Sequence, residues 1–339
     1  MKKRAILLTI VGSPDSTNVR DVRTYLREFL MDERVIDVPQ LLRAFLVKGI
    51  IVPFRAPKSA KKYETIWTDQ GSPLIYLTEQ LAEKVAAQTG LPVYVSMRYA
   101  NPKPEAVLQR IRQEHPDLEE LIMVPLYPHY AMSSYETAVE HVKRTYAADS
   151  YTFDLKVVPP FYDHVAYLEA LAASIAPSLK EQYDHILFSY HGIPVRHVKK
   201  TDPTGSHCMN GAACCSQSST AHAFCYRHQV IRTTELVAER LGIPKEKYSF
   251  SFQSRLGSDK WLQPYTAAQL QAFPGQGVER LLVVCPAFVS DCLETLEEIE
   301  EEGQELFLEA GGKHFHMIPC LNDRDDWVAA IETLVNEIA

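Results

Sequence analysis

The stretch Ile186-Leu-Phe-Ser-Tyr-His-Gly-Ile-Pro194 reads as a strand buried on both faces that runs into an imidazole and then a Gly-x-Pro turn. An earlier stretch, Ile6-Leu-Leu-Thr-Ile-Val-Gly-Ser-Pro14, lies over it without a gap. Two more pairs follow in the same order. Val93–Tyr99 (VYVSMRY) resembles Tyr248–Ser254 (YSFSFQS), and Leu121–Thr137 resembles Leu281–Thr295 once a short gap is allowed. Any single pair of apolar strands matches by chance, but three in one order point to a duplicated unit. Amphipathic segments such as Leu74–Thr89 and Thr233–Leu241 separate the strands, the alternation of parallel sheets covered by helices. The expected fold is α/β, with two similar Rossmann-like lobes built on parallel sheets and a cleft between them. Ligands of such sheets bind beyond the carboxyl ends of the strands, and clefts between lobes are favoured sites.

The repeat puts Val11 and His191 at matching strand ends, and Glu136 and Glu294 at matching helix starts. Histidines at strand ends serve structural and catalytic roles alike. Here one copy has lost the imidazole and the other has kept it. A functional histidine leaves that asymmetry.

The bulk numbers set bounds. The chain has 339 residues, 46% hydrophobic and 23% charged, which suits a globular protein of two domains. A net charge of −8 argues against a nucleic-acid surface, which needs a basic stripe. Met1-Lys-Lys-Arg-Ala5 begins like a signal peptide, but the apolar run Ile6–Val11 is shorter than an h-region and ends in Gly-Ser-Pro. A cytoplasmic protein is expected. The most apolar stretch, Leu41–Phe54, is interrupted by Arg43 and Lys48, so nothing reaches the ~18 uninterrupted apolar residues of a membrane span.

The segment Pro286–Gly312, PAFVSDCLETLEEIEEEGQELFLEAGG, predicts a helix capped by Ser290 or Asp291 and stopped at Gly311-Gly312. At 100° per residue, Glu294, Glu298, Glu301, Glu302 and Glu305 share one face, and Leu296, Ile299, Leu306 and Phe307 share the opposite one. Solvated faces are usually acidic and basic together. This one has no Lys or Arg from Asp291 to Leu308, so the i,i+4 pairs that relieve repulsion are missing. A divalent cation carried along the carboxylates would relieve it.

Together FSYHGIP (Phe188–Pro194), FQSRLGSDKWLQPYT (Phe252–Thr266) and AFVSDCLETLEEI (Ala287–Ile299) resemble ferrochelatases, the enzymes that insert ferrous iron into a porphyrin to make haem. The resemblance extends to Gly12–Ile36, to GSPL at Gly71–Leu74, to RYANP at Arg98–Pro102 and to YPHY at Tyr127–Tyr130, and so covers nearly the whole chain in order. It implies a first lobe at 1–165, with a C-terminal helix 325–339 packing back on it. A second lobe at 166–324 would hold the catalytic His191 and Glu294 together with a Cys-rich insert at 204–228. His191, Glu294, Glu298, Glu301 and Glu302 are the implied metal contacts, the last three leading iron inward or protons outward. Val11, Arg98, Tyr99, Ser133, Trp261 and Phe288 match positions that line or approach the porphyrin. Cys292 stands where family members often carry histidine, and Val11 where some carry methionine or tyrosine.

The insert interrupts the family pattern. It carries Cys208, Cys214, Cys215 and Cys225, spaced C-x5-C-C-x9-C among small and polar residues. Four thiolates suit a structural zinc or a [2Fe–2S] cluster equally well by spacing. Some family members hold a [2Fe–2S] cluster in such an insert, so the resemblance implies that cofactor. His207, His222 and His228 are further candidate ligands. Val38–Arg55, VPQLLRAFLVKGIIVPFR, reads as a buried helix plus loop or, by its resemblance to the family's apolar lip, as a segment expected to handle a greasy substrate and touch the inner membrane peripherally.

The implied reaction takes Fe(II) and a porphyrin, protoporphyrin IX ahead of coproporphyrin, in a monomer or homodimer. Chelation of another metal or tetrapyrrole is the alternative within the class. A porphyrin- or metal-binding protein and an iron–sulfur sensor are the alternatives outside it.

Overall fold

A computed structural model describes residues 2–338 except Ala212, Leu256 and Ser258. The chain divides into two compact units. The first comprises residues 1–126, 132–159 and 331–339; the second comprises 127–131 and 160–330.

Each unit holds a four-stranded parallel sheet. In the first, β1 (Arg4–Ile10), β2 (Val93–Met97), β3 (Glu120–Pro125) and β4 (Asp154–Val157) lie in the order β2-β1-β3-β4. In the second, β5 (His185–His191), β6 (Tyr248–Gln253), β7 (Arg280–Val284) and β8 (His314–Met317) lie in the order β6-β5-β7-β8. The α/β class with two parallel-sheet lobes is the one that the sequence repeat predicts.

Pairing register repeats as well as order. Ile6 pairs with Val93 and Ile122, while Ile186 pairs with Tyr248 and Leu282. These are the residues that the sequence overlay matches. Buried apolar runs make the central strands, as parallel sheets covered on both faces require. The edge strands β4 and β8 were not among the expected elements. They are four residues each and partly exposed, so they lack the long apolar run that marks β1 and β5.

In the second unit Leu187, Leu281, Val283 and Met317 of the sheet pack with Ile299 and Phe307 of the acidic helix, and Leu296 and Leu306 join from the side. The apolar stripe expected on that helix is the one that seats it on the sheet. No helix among the described residues is long and apolar enough to cross a membrane.

Candidate active site

Strand β5 brings His191 to its carboxyl end, where the next residue must be small. A Cβ on Gly192 would lie 2.7 Å from the Gln253 carbonyl oxygen and 3.2 Å from the Trp261 ring. With hydrogen there instead, the Gly192 N–H donates to that carbonyl at 2.8 Å. The His191 Nδ1 lies 2.6 Å from the Gly192 carbonyl oxygen. A carbonyl only accepts, so Nδ1 carries the proton and Nε2 of the neutral ring keeps its lone pair. The Tyr226 hydroxyl holds the His191 main-chain oxygen at 2.9 Å. The Phe288 ring stands 6.3 Å from the imidazole, centre to centre.

The acidic helix begins at Leu293, later than expected, because Cys292 and Thr295 cap each other across the first turn. Asp291 does different work. Its carboxylate accepts from the Asn322 amide at 2.7 Å and the Thr295 hydroxyl at 3.0 Å. The Asn322 oxygen accepts the Asp291 N–H in return at 2.8 Å. From Leu296 to Gly303 the helix is of the π type, with i→i+5 bonding that appears mostly as single-turn bulges, frequently at functional sites. Glu297, which the sequence did not single out, turns inward and is buried.

Ser254 holds both oxygens of the Glu298 carboxylate. One oxygen accepts the Ser254 N–H at 2.7 Å, and the other accepts the Ser254 hydroxyl. Ser254 does this from a left-handed backbone at φ 64°. Burial pushes the Glu298 carboxyl up, the Ser254 hydroxyl and the charge of His191 act against that, and the charge of Glu294 adds to it. His191 and Glu298 therefore interact electrostatically, and Glu294 interacts with Glu298. Glu294 is half-buried, and its main-chain carbonyl accepts the Gln253 amide at 2.7 Å. Glu301 and Glu302 are exposed. Gln253 and Ser254 were inside a quoted motif but were given no role. The available signal was that polar residues end β6 at the same level as His191.

The remaining expected contacts are placed as follows. Trp261 is buried, bridges to Pro194 and packs against the Gly192 turn. In the first unit Arg98 pairs with Asp32, donates to the Thr137 hydroxyl at 2.7 Å and lies over the Tyr99 ring at 4.3 Å. Tyr99 is buried, with its hydroxyl given to Asp32 at 2.9 Å, so both side chains are engaged within their own unit. Val11 and Ser133 are part-exposed. The Val11 carbonyl accepts the Tyr99 N–H at 2.9 Å, and Ser133 lies in a π turn, Met132–Glu136.

In the insert, Cys208, Cys214 and Cys225 are buried and Cys215 is partly so; all are free thiols. Cys225 neighbours both Cys208 and Cys215 and bears on the acidity of each thiol. The sulfurs of Cys214 and Cys215 are 3.9 Å apart, and Arg227 donates to Cys215 at 3.0 Å. Asp202 accepts the backbone N–H groups of His207 and Cys208 at 2.8 and 2.7 Å and shapes the entry loop. His207, His222 and His228 each have one ring nitrogen on the carbonyl of Cys214 or Cys215, which gives them the role of loop braces. Among the described residues no three His, Cys, Asp or Glu side chains are grouped to hold a metal ion.

A family model described as ferrochelatase matches residues 3–339. The chain belongs to the ferrochelatase family. It is 50% identical to a ferrochelatase of Opitutus terrae over 331 residues, covering 97% of this chain and 95% of the relative. It is 48% identical to a ferrochelatase of Ectopseudomonas mendocina and 47% to one of Pseudomonas fluorescens, with 98% of each chain covered in both cases. Among solved structures, the one titled "SirB from Bacillus subtilis with Fe3+" superposes with a TM-score of 0.52 at 15% identity, covering 100% of this chain and 96% of that one. At that identity the likeness speaks for the fold, which this chain shares.

Proposed function

We propose that His191 takes up the pyrrole protons during metallation and that Glu298, with Glu294 beside it, steadies the charged ring and passes iron and protons along the helix. The reaction is the insertion of ferrous iron into a porphyrin to make haem, catalysed by a lyase. Two N–H protons leave as one divalent ion enters, so the macrocycle needs a base close to its nitrogens. A neutral imidazole has a reference pKa of ~6.5 and suits that work near neutral pH. The observation that carries the assignment is the His191 ring, with Nδ1 tied to the Gly192 carbonyl and its electrostatic partner Glu298 held by two Ser254 donors. Oxygen ligands let a metal pass, whereas a set of thiolates would retain it. Glu301 and Glu302, on the exposed continuation of the helix, extend the row toward solvent.

Binding energy from apolar contacts bends the flat ring so that its lone pairs face the metal. Phe288 beside the imidazole is the proposed contact in the second unit, with Trp261 acting through the Gly192 turn. Exposed Leu41, Leu42, Phe45, Ile50 and Phe54 favour protoporphyrin over the more heavily carboxylated coproporphyrin and give the chain a peripheral membrane contact. Side-by-side metallation assays test the first; flotation with anionic liposomes tests the second, and a protein left wholly in the soluble fraction defeats it.

A [2Fe–2S] group is the cofactor proposed for the insert. Cys225 neighbours both Cys208 and Cys215, and Cys214 lies beside Cys215, so the four thiols lie close enough together to share one group, and their contacts alone suit zinc as well. Such a cluster would brace the insert; metallation itself moves no electrons. Visible absorbance of anaerobically purified protein tests it, since zinc contributes none.

His191→Ala should leave porphyrin binding intact and abolish metallation. An anaerobic assay that follows the loss of free-porphyrin fluorescence with Fe(II) reads the result, and substantial turnover defeats the assignment.

A further inference from the structure

Strands β5 and β6 place four polar side chains on one face of the second sheet. Ser189 pairs in register with Ser251, and His191 with Gln253. Since side chains alternate along a strand, all four point to the side where Leu187 meets Ile299 of the acidic helix. Ser189, Ser251 and Thr266 are buried hydroxyls, and Gln253 is 4% exposed. Buried polar groups in a sheet core are costly unless each is satisfied. Here they satisfy one another in a line: Ser251 to Thr266 at 2.8 Å, Thr266 to Ser189 at 3.0 Å, and Ser189 to the Gln253 oxygen at 2.7 Å.

Counting hydrogens gives the line a direction. The Glu294 main-chain carbonyl can only accept, so the Gln253 group facing it at 2.7 Å is the amide N–H. The amide oxygen then faces Ser189, whose single hydrogen is committed to it. Thr266 must therefore donate to Ser189, and Ser251 to Thr266. The same Gln253 nitrogen reaches the Glu298 carboxylate at 3.5 Å. A reversed amide would aim its oxygen at two acceptors.

We infer that Gln253 is a positioning residue for metallation. Its amide, oriented by the hydroxyl line Ser251–Thr266–Ser189, pins the start of the acidic helix through the Glu294 carbonyl and sets Glu298 at the level of His191. None of Gln253, Ser251, Thr266 and Ser189 touches the reacting atoms in this scheme. They act through the placement of the carboxylates, and an error of about 1 Å in such placement costs up to about a hundredfold in rate. This inference rests on the assignment of His191 and the two glutamates to the chemistry.

The test is steady-state metallation, with kcat and KM separated for both porphyrin and Fe(II). Gln253→Leu should lower kcat about tenfold or more while each KM stays within about twofold. Thr266→Val keeps the volume and removes the hydroxyl, and should lower kcat a few-fold. Thr266→Ser keeps the hydroxyl and loses a methyl, and should run at the wild-type rate. Wild-type kcat in Gln253→Leu, or equal damage from the two Thr266 variants, overturns the inference. If Gln253→Leu does not fold, the Thr266 pair decides alone. His191→Ala separates the two levels. Turnover by that variant defeats the underlying assignment, whereas an inactive His191→Ala beside a fully active Gln253→Leu defeats only the role of Gln253.

Discussion

Just past β1 stands Val11, followed by Gly12; at the end of β5 stands His191, followed by Gly192. Both glycines make room for a neighbouring backbone, with a Cβ on Gly12 falling 2.0 Å from the Tyr99 carbonyl oxygen and one on Gly192 2.7 Å from that of Gln253. Strand plan and register are shared. What differs is how charge is settled. In the first unit Asp32 meets Arg98, and Glu136 meets Arg34 at 2.9 Å. In the second, no Lys or Arg follows Asp291 until Lys313, and Glu298 has His191 and Ser254 instead. Permanent cations leave those carboxylates paired at any ordinary pH. A titratable imidazole beside crowded carboxylates leaves a site where a proton or a metal changes the energy.

The largest effect should come from erasing that difference. His191→Val copies the first unit's strand end, and metallation should fall about a thousandfold, within the range of general acid–base catalysis, with porphyrin binding retained by fluorescence titration. The opposite operation disturbs the settled unit. Asp32→Asn leaves the Arg98 guanidinium, only 13% exposed, without its carboxylate, and should cost about 3 kcal/mol in urea unfolding.

Glu298→Gln sharpens the contrast, since it should slow metallation about tenfold yet stabilise the protein at neutral pH. The sign follows from linkage. A carboxyl raised by burial binds more protons folded than unfolded, so it costs stability as pH rises from the ordinary carboxylate range through its folded value. The glutamine removes that cost. Unfolding free energies of the two proteins should converge at low pH and separate as pH rises; parallel curves would mean that Glu298 is not raised.

Acid should reach the two units at different pH. His129, in the second unit, is buried and held down at about 3, with Nε2 on the Thr233 hydroxyl at 2.9 Å. Between the ordinary ~6.5 and that value only the unfolded chain takes the proton, so stability falls with acidification by up to ~1.4 kcal/mol per pH unit from this group. Glu298 opposes part of that loss. Asp32, in the first unit, is lowered despite its burial, through the Thr137 hydroxyl, backbone N–H and Arg98, so its contribution is lost only below the ordinary carboxylate range. Amide exchange should therefore loosen β5 before β1 between pH 6.5 and 4.5, and His129→Gln should narrow the gap.

The strand ends were legible in the sequence because parallel strands need unbroken apolar runs and because the duplication gives each run a second witness. His191 stood out for the same reason: its counterpart is valine. The acidic face was legible as a row without cations. The short edge strands β4 and β8, the π segment of the acidic helix and the inward Glu297 were not, since each depends on what packs against it.

Local order along the chain thus marked three strands of each sheet, an imidazole at one strand end and a run of carboxylates. Which carboxylate the imidazole meets, which hydroxyls orient Gln253, and which histidines brace the insert while its thiols meet were decided only by tertiary structure. These are relations between segments far apart in sequence. Hydrogen-bond geometry and burial, which set the strength of each, exist only once the sheet has brought the segments within reach.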